Sequence, residues 1–129
     1  MAKIFIADCE PEINKSLKGF FEYFGYDTYA AEDIENLDNI IREIKNFKPN
    51  IVLLDVRINK VLRLEVIDRI KELDNNIKVI VMSTYGGTID REIINEIMAH
   101  GTYEYLQKPF AMERLIDAIN RKTTTLSQN

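Results

Sequence analysis

A lone cysteine, Cys9, in 129 residues leaves no partner for an internal disulfide. The chain must therefore hold itself together by packing, and it suits a reducing compartment. No apolar run approaches the ~18 residues a membrane-spanning helix needs. Apolar strand character begins at Ile4, which leaves no room for a secretory signal; the expectation is a cytoplasmic protein with no membrane partner. Basic charge is not in excess: 17 Lys and Arg face 21 Asp and Glu, for a net charge of -4. With no basic stripe to meet phosphates, direct nucleic-acid binding is not expected. A glycine-rich loop is missing after the first apolar run, which disfavours a dinucleotide or P-loop site. His100, the one histidine, has no cysteine or second histidine near it, and beside Gly101 it reads as a favourable charge at a helix end. Repeats and low-complexity tracts are absent too. What remains, 46% hydrophobic and 29% charged residues, is the make-up of one globular domain.

Short apolar runs alternate with amphipathic stripes. Strand-like segments are Ile4–Ala7, Tyr26–Ala31, Ile51–Asp55, Lys78–Ser83 and Thr102–Gln107. Between and after them, helical spacing links five sets of residues. These are Ile13, Leu17, Phe20, Phe21 and Phe24; Ile34, Leu37, Ile40, Ile41, Ile44 and Phe47; Leu64, Ile67, Ile70 and Leu73; Ile89, Ile93, Ile94 and Ile97; and Leu115, Ile116 and Ile119. Pro11 suits the first turn of the first helix, Gly25 its left-handed exit, and Pro49 stops the second helix. Residues 56–63 read as a loop. Five strands alternating with five helices require right-handed crossovers and a parallel sheet covered on both faces. The uninterrupted apolar runs 51–54 and 79–82 agree, because both faces of those strands would be buried. The expected architecture is α/β, a doubly wound five-stranded parallel sheet, over residues 1–122, with 123–129 as a tail or the start of a linker.

The polar residues that close these runs carry the chemistry. Ile4-Phe5-Ile6-Ala7 leads to Asp8, Ile51-Val52-Leu53-Leu54 to Asp55, Val79-Ile80-Val81-Met82 to Ser83, and Tyr105-Leu106-Gln107 to Lys108-Pro109-Phe110. Singly, each has an ordinary reading: a helix cap, a turn hydroxyl or a solvated amine. Jointly they sit at the carboxyl ends of four strands, where open parallel sheets collect ligands and reacting groups.

These pieces resemble the receiver domain of bacterial two-component response regulators, over essentially the whole chain. The resemblance implies a flavodoxin-like (βα)5 sandwich that is a signalling module and not an enzyme. It implies that Asp55 accepts a phosphoryl group from a phosphohistidine on a histidine kinase or phosphotransfer protein. Ser83 and Lys108 would then hold the phosphoryl oxygens, and Tyr105 would be the aromatic that swings inward on activation. It also implies a cis Lys108-Pro109 bond, and magnesium held by Asp8, Asp55 and the backbone carbonyl of Arg57. A homodimer through the fourth helix, fifth strand and fifth helix, and an effector domain beyond Asn129, are family expectations for partners.

The chain departs from that pattern in places. Receivers carry a second acid after the first strand, and here Cys9 stands in its position, a poor ligand for a hard cation. Glu10 is the candidate replacement. Arg57 and Thr84 depart from the usual residues around Asp55, and the stretch near Gly86-Gly87-Thr88 is longer than usual. A thiol among acids should have a raised pKa and low reactivity; as a structural residue Cys9 reads as a partly buried filler. Two alternatives follow: a degenerate receiver acting as a phosphorylation-independent interaction module, and a small α/β phosphatase. The second is weakened by Arg57, which stands where such enzymes place a second Asp.

Overall fold

The structure is a computed structural model describing residues 2–58, 61–84 and 91–121. Its main sheet consists of β1 (Lys3–Ala7), β2 (Asp27–Ala30), β3 (Ile51–Leu54), β6 (Lys78–Ser83) and β7 (Glu104–Gln107). All pairs are parallel, in the order β2-β1-β3-β6-β7. The helices are α1 (Pro11–Tyr23), α2 (Leu37–Phe47), α3 (Glu65–Leu73), α4 (Arg91–Ala99) and α5 (Met112–Asn120).

Period-2 alternation within the apolar runs sorts the core into two halves. From β1, β3 and β6, the side chains of Phe5, Ala7, Val52, Leu54, Val79 and Val81 join Ile40, Ile44, Val66, Ile67, Ile70 and Ile97 of α2, α3 and α4. The alternate residues Ile4, Ile6, Ile51, Leu53, Ile80 and Met82 join Leu17, Phe21, Leu115, Ala118 and Ile119 of α1 and α5. Burial on both faces explains why these strands show no polar alternation. Each buried aliphatic side chain contributes about 1.5–3 kcal/mol.

Three sequence expectations need correction. Residues 56–63 are not simply a loop: β4 (Arg57–Ile58) and β5 (Val61–Leu62) pair antiparallel, with Asn59 and Lys60 outside the described residues. Ile34 precedes α2, because Asn36 caps that helix by accepting the Asn39 amide. Phe24 does not continue the buried stripe of α1. The helix ends at Tyr23, and Phe24 lies 55% exposed against Phe20 and Tyr23. Gly25 turns the chain into β2 with φ 90°, a conformation that costs glycine little. Gly86, Gly87, Thr88, Ile89 and residues 122–129 lie outside the described residues.

Candidate functional site

The hydrogen-bond ladder sets the site. Ala7 pairs with Leu54, and Leu54 with Val81, so Asp8 and Asp55 leave the sheet level with each other. Ser83 pairs with Gln107, placing Lys108 just beyond it. The Lys108 amide donates to the Ser83 carbonyl at 2.7 Å, and the Lys108-Pro109 bond is cis. Four strand ends therefore converge because one ladder aligns them.

Both acids are buried, Asp8 at 1% and Asp55 at 5% exposure. The Lys108 ammonium bridges them, 2.6 Å from Asp8 Oδ2 and 3.2 Å from Asp55 Oδ2. The other oxygen of each carboxylate is held by the backbone. Asp8 Oδ1 accepts the Glu10 amide at 2.8 Å, and Asp55 Oδ1 accepts the Arg57 amide at 2.9 Å. Burial pushes the Asp55 carboxyl above its ordinary range, with the Arg57 amide and Lys108 pulling it back. Burial works the other way on Lys108, but the hydrogen bond and charge of Asp8, with the charge of Asp55, outweigh it and leave that pKa raised.

Cys9 is exposed and is not the partly buried filler expected, because its backbone lies at the rim between β1 and α1. Its thiol nevertheless donates to Asp55 Oδ2 at 3.4 Å. Burial of the sulfur, then the charge of Asp55 and the hydrogen bond to it, push the thiol up to about 11. The Glu10 carboxylate sits at the rim, 3.6 Å from the Lys108 ammonium. Arg57 donates from its guanidinium to Thr84 Oγ1 at 3.0 Å, an exposed link between the segments that follow β3 and β6. Ser83 is fully buried at the end of β6. Tyr105, in β7, is half-buried against the core on the α2–α3–α4 side. His100 meets Asp68 of α3 at 2.8 Å, tying α4 to α3 well away from the acids.

Sequence reasoning missed Asn14. Its side-chain oxygen accepts the Asp8 amide at 2.9 Å, and its NH2 donates to the Asp8 carbonyl at 2.8 Å. This clamp orients the first acid. Its signal was an amide next to the apolar stripe of α1, visible only as a polar residue at a core-facing position.

An open parallel sheet with two buried acids, a hydroxyl and a lysine at its carboxyl edge defines a doubly wound α/β domain with a small anionic pocket. The chain matches the family described as response regulator receiver domain over residues 4–120, and it belongs to that family. It is 33% identical over 120 residues to sporulation initiation phosphotransferase F of Bacillus subtilis, covering 92% of this chain and 91% of that protein. Chemotaxis protein CheY of Thermotoga maritima is 26% identical, with 92% and 95% covered. The solved receiver domain dimer of beryllofluoride-activated NtrC4 superposes with a TM-score of 0.76 at 29% identity, covering 92% and 94%. Against NtrX of Azorhizobium caulinodans, 30% identical, the chain spans 26% of the relative's length. Two-component receiver domains are signalling modules that work with histidine kinases and effector domains, so the fold and functional class expected from the sequence hold.

Receiver domains bind magnesium at an acidic pocket, and the residues here can be tested against that ion. One donor atom from each of Asp8, Cys9 and Asp55 lies within 4.8 Å of the others. Magnesium demands a near-octahedral shell of oxygens, and this set places a sulfur among them. Glu10, the candidate replacement, leans on Lys108 and stands outside that group. The residues present do not fit magnesium well. No helix among the described residues is long and apolar enough to cross a membrane.

Proposed function

We propose that this chain is a phosphoacceptor receiver in which Asp55 takes a phosphoryl group from a phosphohistidine of a histidine kinase or phosphotransfer protein. The observation that carries the reading is the Asp55 carboxylate, buried at the end of β3 with the Lys108 ammonium at 3.2 Å. In the transfer, an Asp55 oxygen bonds to phosphorus as the phosphorus–nitrogen bond to the donor imidazole breaks, and the imidazole keeps the electron pair and takes a proton. Oδ1 is fixed by the Arg57 amide, leaving Oδ2, the oxygen facing Lys108 and Cys9, as the attacking atom.

Phosphorylation adds roughly -1.5 to -2 charge and three acceptor oxygens. Lys108 would pair with that charge, and Ser83, one ladder position on, would donate to a phosphoryl oxygen. Drawing Ser83 and the following segment inward would let Tyr105 turn further into the fold. The face of α4, β7 and α5 would then change shape toward a dimer or an effector domain. A groove of about 520 Å³, lined by Ile13, Leu17, Phe110 and Met112 and reaching Lys108, offers a donor protein an apolar seat. Magnesium, with Asp8, Asp55 and the Arg57 carbonyl as its ligands, would bind weakly here because of Cys9. The proposal includes a cytoplasmic location and no catalytic turnover by the chain itself.

Incubation with phosphoramidate or acetyl phosphate plus divalent ions, followed by intact-mass measurement, tests this. One phosphate should be gained and none in Asp55→Asn. An unmodified chain, or a phosphate retained in Asp55→Asn, would overturn the assignment.

A further inference from the structure

The phosphoryl chemistry of Asp55 does not call for a thiol, yet a thiol is aimed at its attacking oxygen. From the donor set Asp8, Cys9 and Asp55 we propose that the pocket binds a thiophilic divalent ion of the zinc class in preference to magnesium. This rests on the reading of the pocket as the receiver site.

The geometry favours such an ion. A tetrahedral ion with bonds of about 2.0–2.3 Å to oxygen and sulfur sets its ligand atoms about 3.5 Å apart. Cys9 Sγ and Asp55 Oδ2 already stand 3.4 Å apart. The whole donor group fits within 4.8 Å and needs to contract by only about 1 Å to close on the ion. Three protein ligands leave one position open, for water or a phosphoryl oxygen. Sulfur selects zinc-class ions over magnesium, which keeps to oxygen and sheds its waters reluctantly.

The Lys108 ammonium, 2.6 Å from Asp8 Oδ2 and 3.2 Å from Asp55 Oδ2, occupies the space between the two acids. An ion of twice its charge displaces it from them. Glu10, exposed at the rim with Oε1 3.6 Å from the ammonium, is placed to receive it. Binding forms a metal–sulfur bond and releases the thiol proton to solvent, one proton per ion.

The test uses the full chain, stripped with chelator and kept reduced, with no phosphoryl donor present. Cobalt(II) serves as the spectroscopic probe and zinc and magnesium as competitors. The expected result is one cobalt per chain with a near-ultraviolet sulfur-to-cobalt charge-transfer band, abolished by equimolar zinc and persisting in a roughly thousandfold excess of magnesium. In Cys9→Ser the band should vanish and zinc bind at least ~10-fold more weakly, the loss that even an outer-shell partner of a metal ligand produces. In Cys9→Asp, magnesium should bind at least ~10-fold more tightly than in the natural chain.

Three results would overturn the proposal: no charge-transfer band, a band of unchanged affinity in Asp8→Asn and Asp55→Asn (a thiol acting alone), or zinc binding unaltered by Cys9→Ser. Because the readout involves no phosphate, a chain that binds cobalt but never gains phosphate would sink only the phosphoacceptor reading. One that gains phosphate but shows no cobalt–sulfur band would sink only this one.

Discussion

Replacing Lys108 with methionine removes the one ammonium that separates two buried carboxylates and keeps a side chain of similar length. The Lys108 side chain is 11% exposed, and those of Asp8 and Asp55 0% and 6%, so solvent screens the cluster little. At an effective dielectric of 20, contacts of 2.6 Å and 3.2 Å are worth about 6 and about 5 kcal/mol of gross attraction. Donor atoms of the two acids lie within 4.8 Å, so their repulsion is at least about 3.5 kcal/mol on the same scale. Relief of lysine desolvation offsets part of the loss. Breaking a buried pair of this kind costs about 3–5 kcal/mol net, and that is the expected destabilisation near pH 7.5 in chelator-treated buffer. Urea unfolding followed by far-ultraviolet circular dichroism would show it as a fall in midpoint of about 2 M.

The pH dependence has a definite sign. Burial, the largest influence, raises the folded pKa of Asp55 above its ordinary value of 3.8, against the pull of the Arg57 amide and Lys108. The folded state therefore holds this proton more tightly than the unfolded chain does. The penalty is absent below pH 3.8, complete above the folded pKa, and grows as pH rises between them. Without Lys108 that window extends upward, so the deficit of Lys108→Met should shrink to less than about half near pH 4. Adding Asp55→Asn to Lys108→Met should restore part of the lost stability at neutral pH. A deficit under about 1 kcal/mol at pH 7.5, or one that does not change with pH, would refute the reasoning.

Despite its exposure, Cys9 should react slowly with iodoacetamide at pH 7. A thiol near pKa 11 is thiolate in only about one molecule in 10,000 there. The rate, read by intact mass, should climb about tenfold per pH unit through pH 9, and Asp55→Asn should accelerate it; a plateau below pH 9 would contradict this. Lys78→Met should cost about 1–3 kcal/mol in thermal or urea unfolding. That ammonium crosses the α1–α5 side of the core to donate to the carbonyls of Ala118, Ile119 and Arg121, at 3.0, 3.2 and 2.5 Å, and lies 4.5 Å over the Tyr103 ring. An unchanged midpoint would show that water replaces it at the end of α5. Asn14→Ala should lose about 1–3 kcal/mol by unclamping the Asp8 backbone. It should also slow phosphate uptake from phosphoramidate, and an uptake rate equal to that of the natural chain would remove Asn14 from the site.

Much of the fold was legible because hydrophobic pattern and element type are local properties. The runs Ile51–Leu54 and Val79–Met82 are apolar throughout because both faces are covered, and that reading needs no coordinates. The strand-terminal residues Asp8, Asp55, Ser83 and Lys108 could be named for the same reason, since each follows a recognisable run. Local pattern misled where an element ended early: Phe24 kept the helical spacing of α1, but the helix had already stopped. It also missed β4–β5, two residues on each side and too short to show a period.

By itself the sequence determined the alternation of strands and helices, the two-sided burial of the central strands, and which polar groups stand at their ends. Only the tertiary structure decided what those groups touch. Lys108 lies 100 residues from Asp8 and 53 from Asp55, and no spacing rule reports that one ammonium bridges both. The Cys9 thiol on Asp55, the Arg57–Thr84 link and the Asn14 clamp are likewise products of side-chain direction in the folded chain, the first two at the rim and the third in the interior. The reason is physical: hydrogen-bond ladders align strand ends from backbone geometry common to all residues, whereas a side chain's final partner depends on charge, reach and the space its neighbours leave.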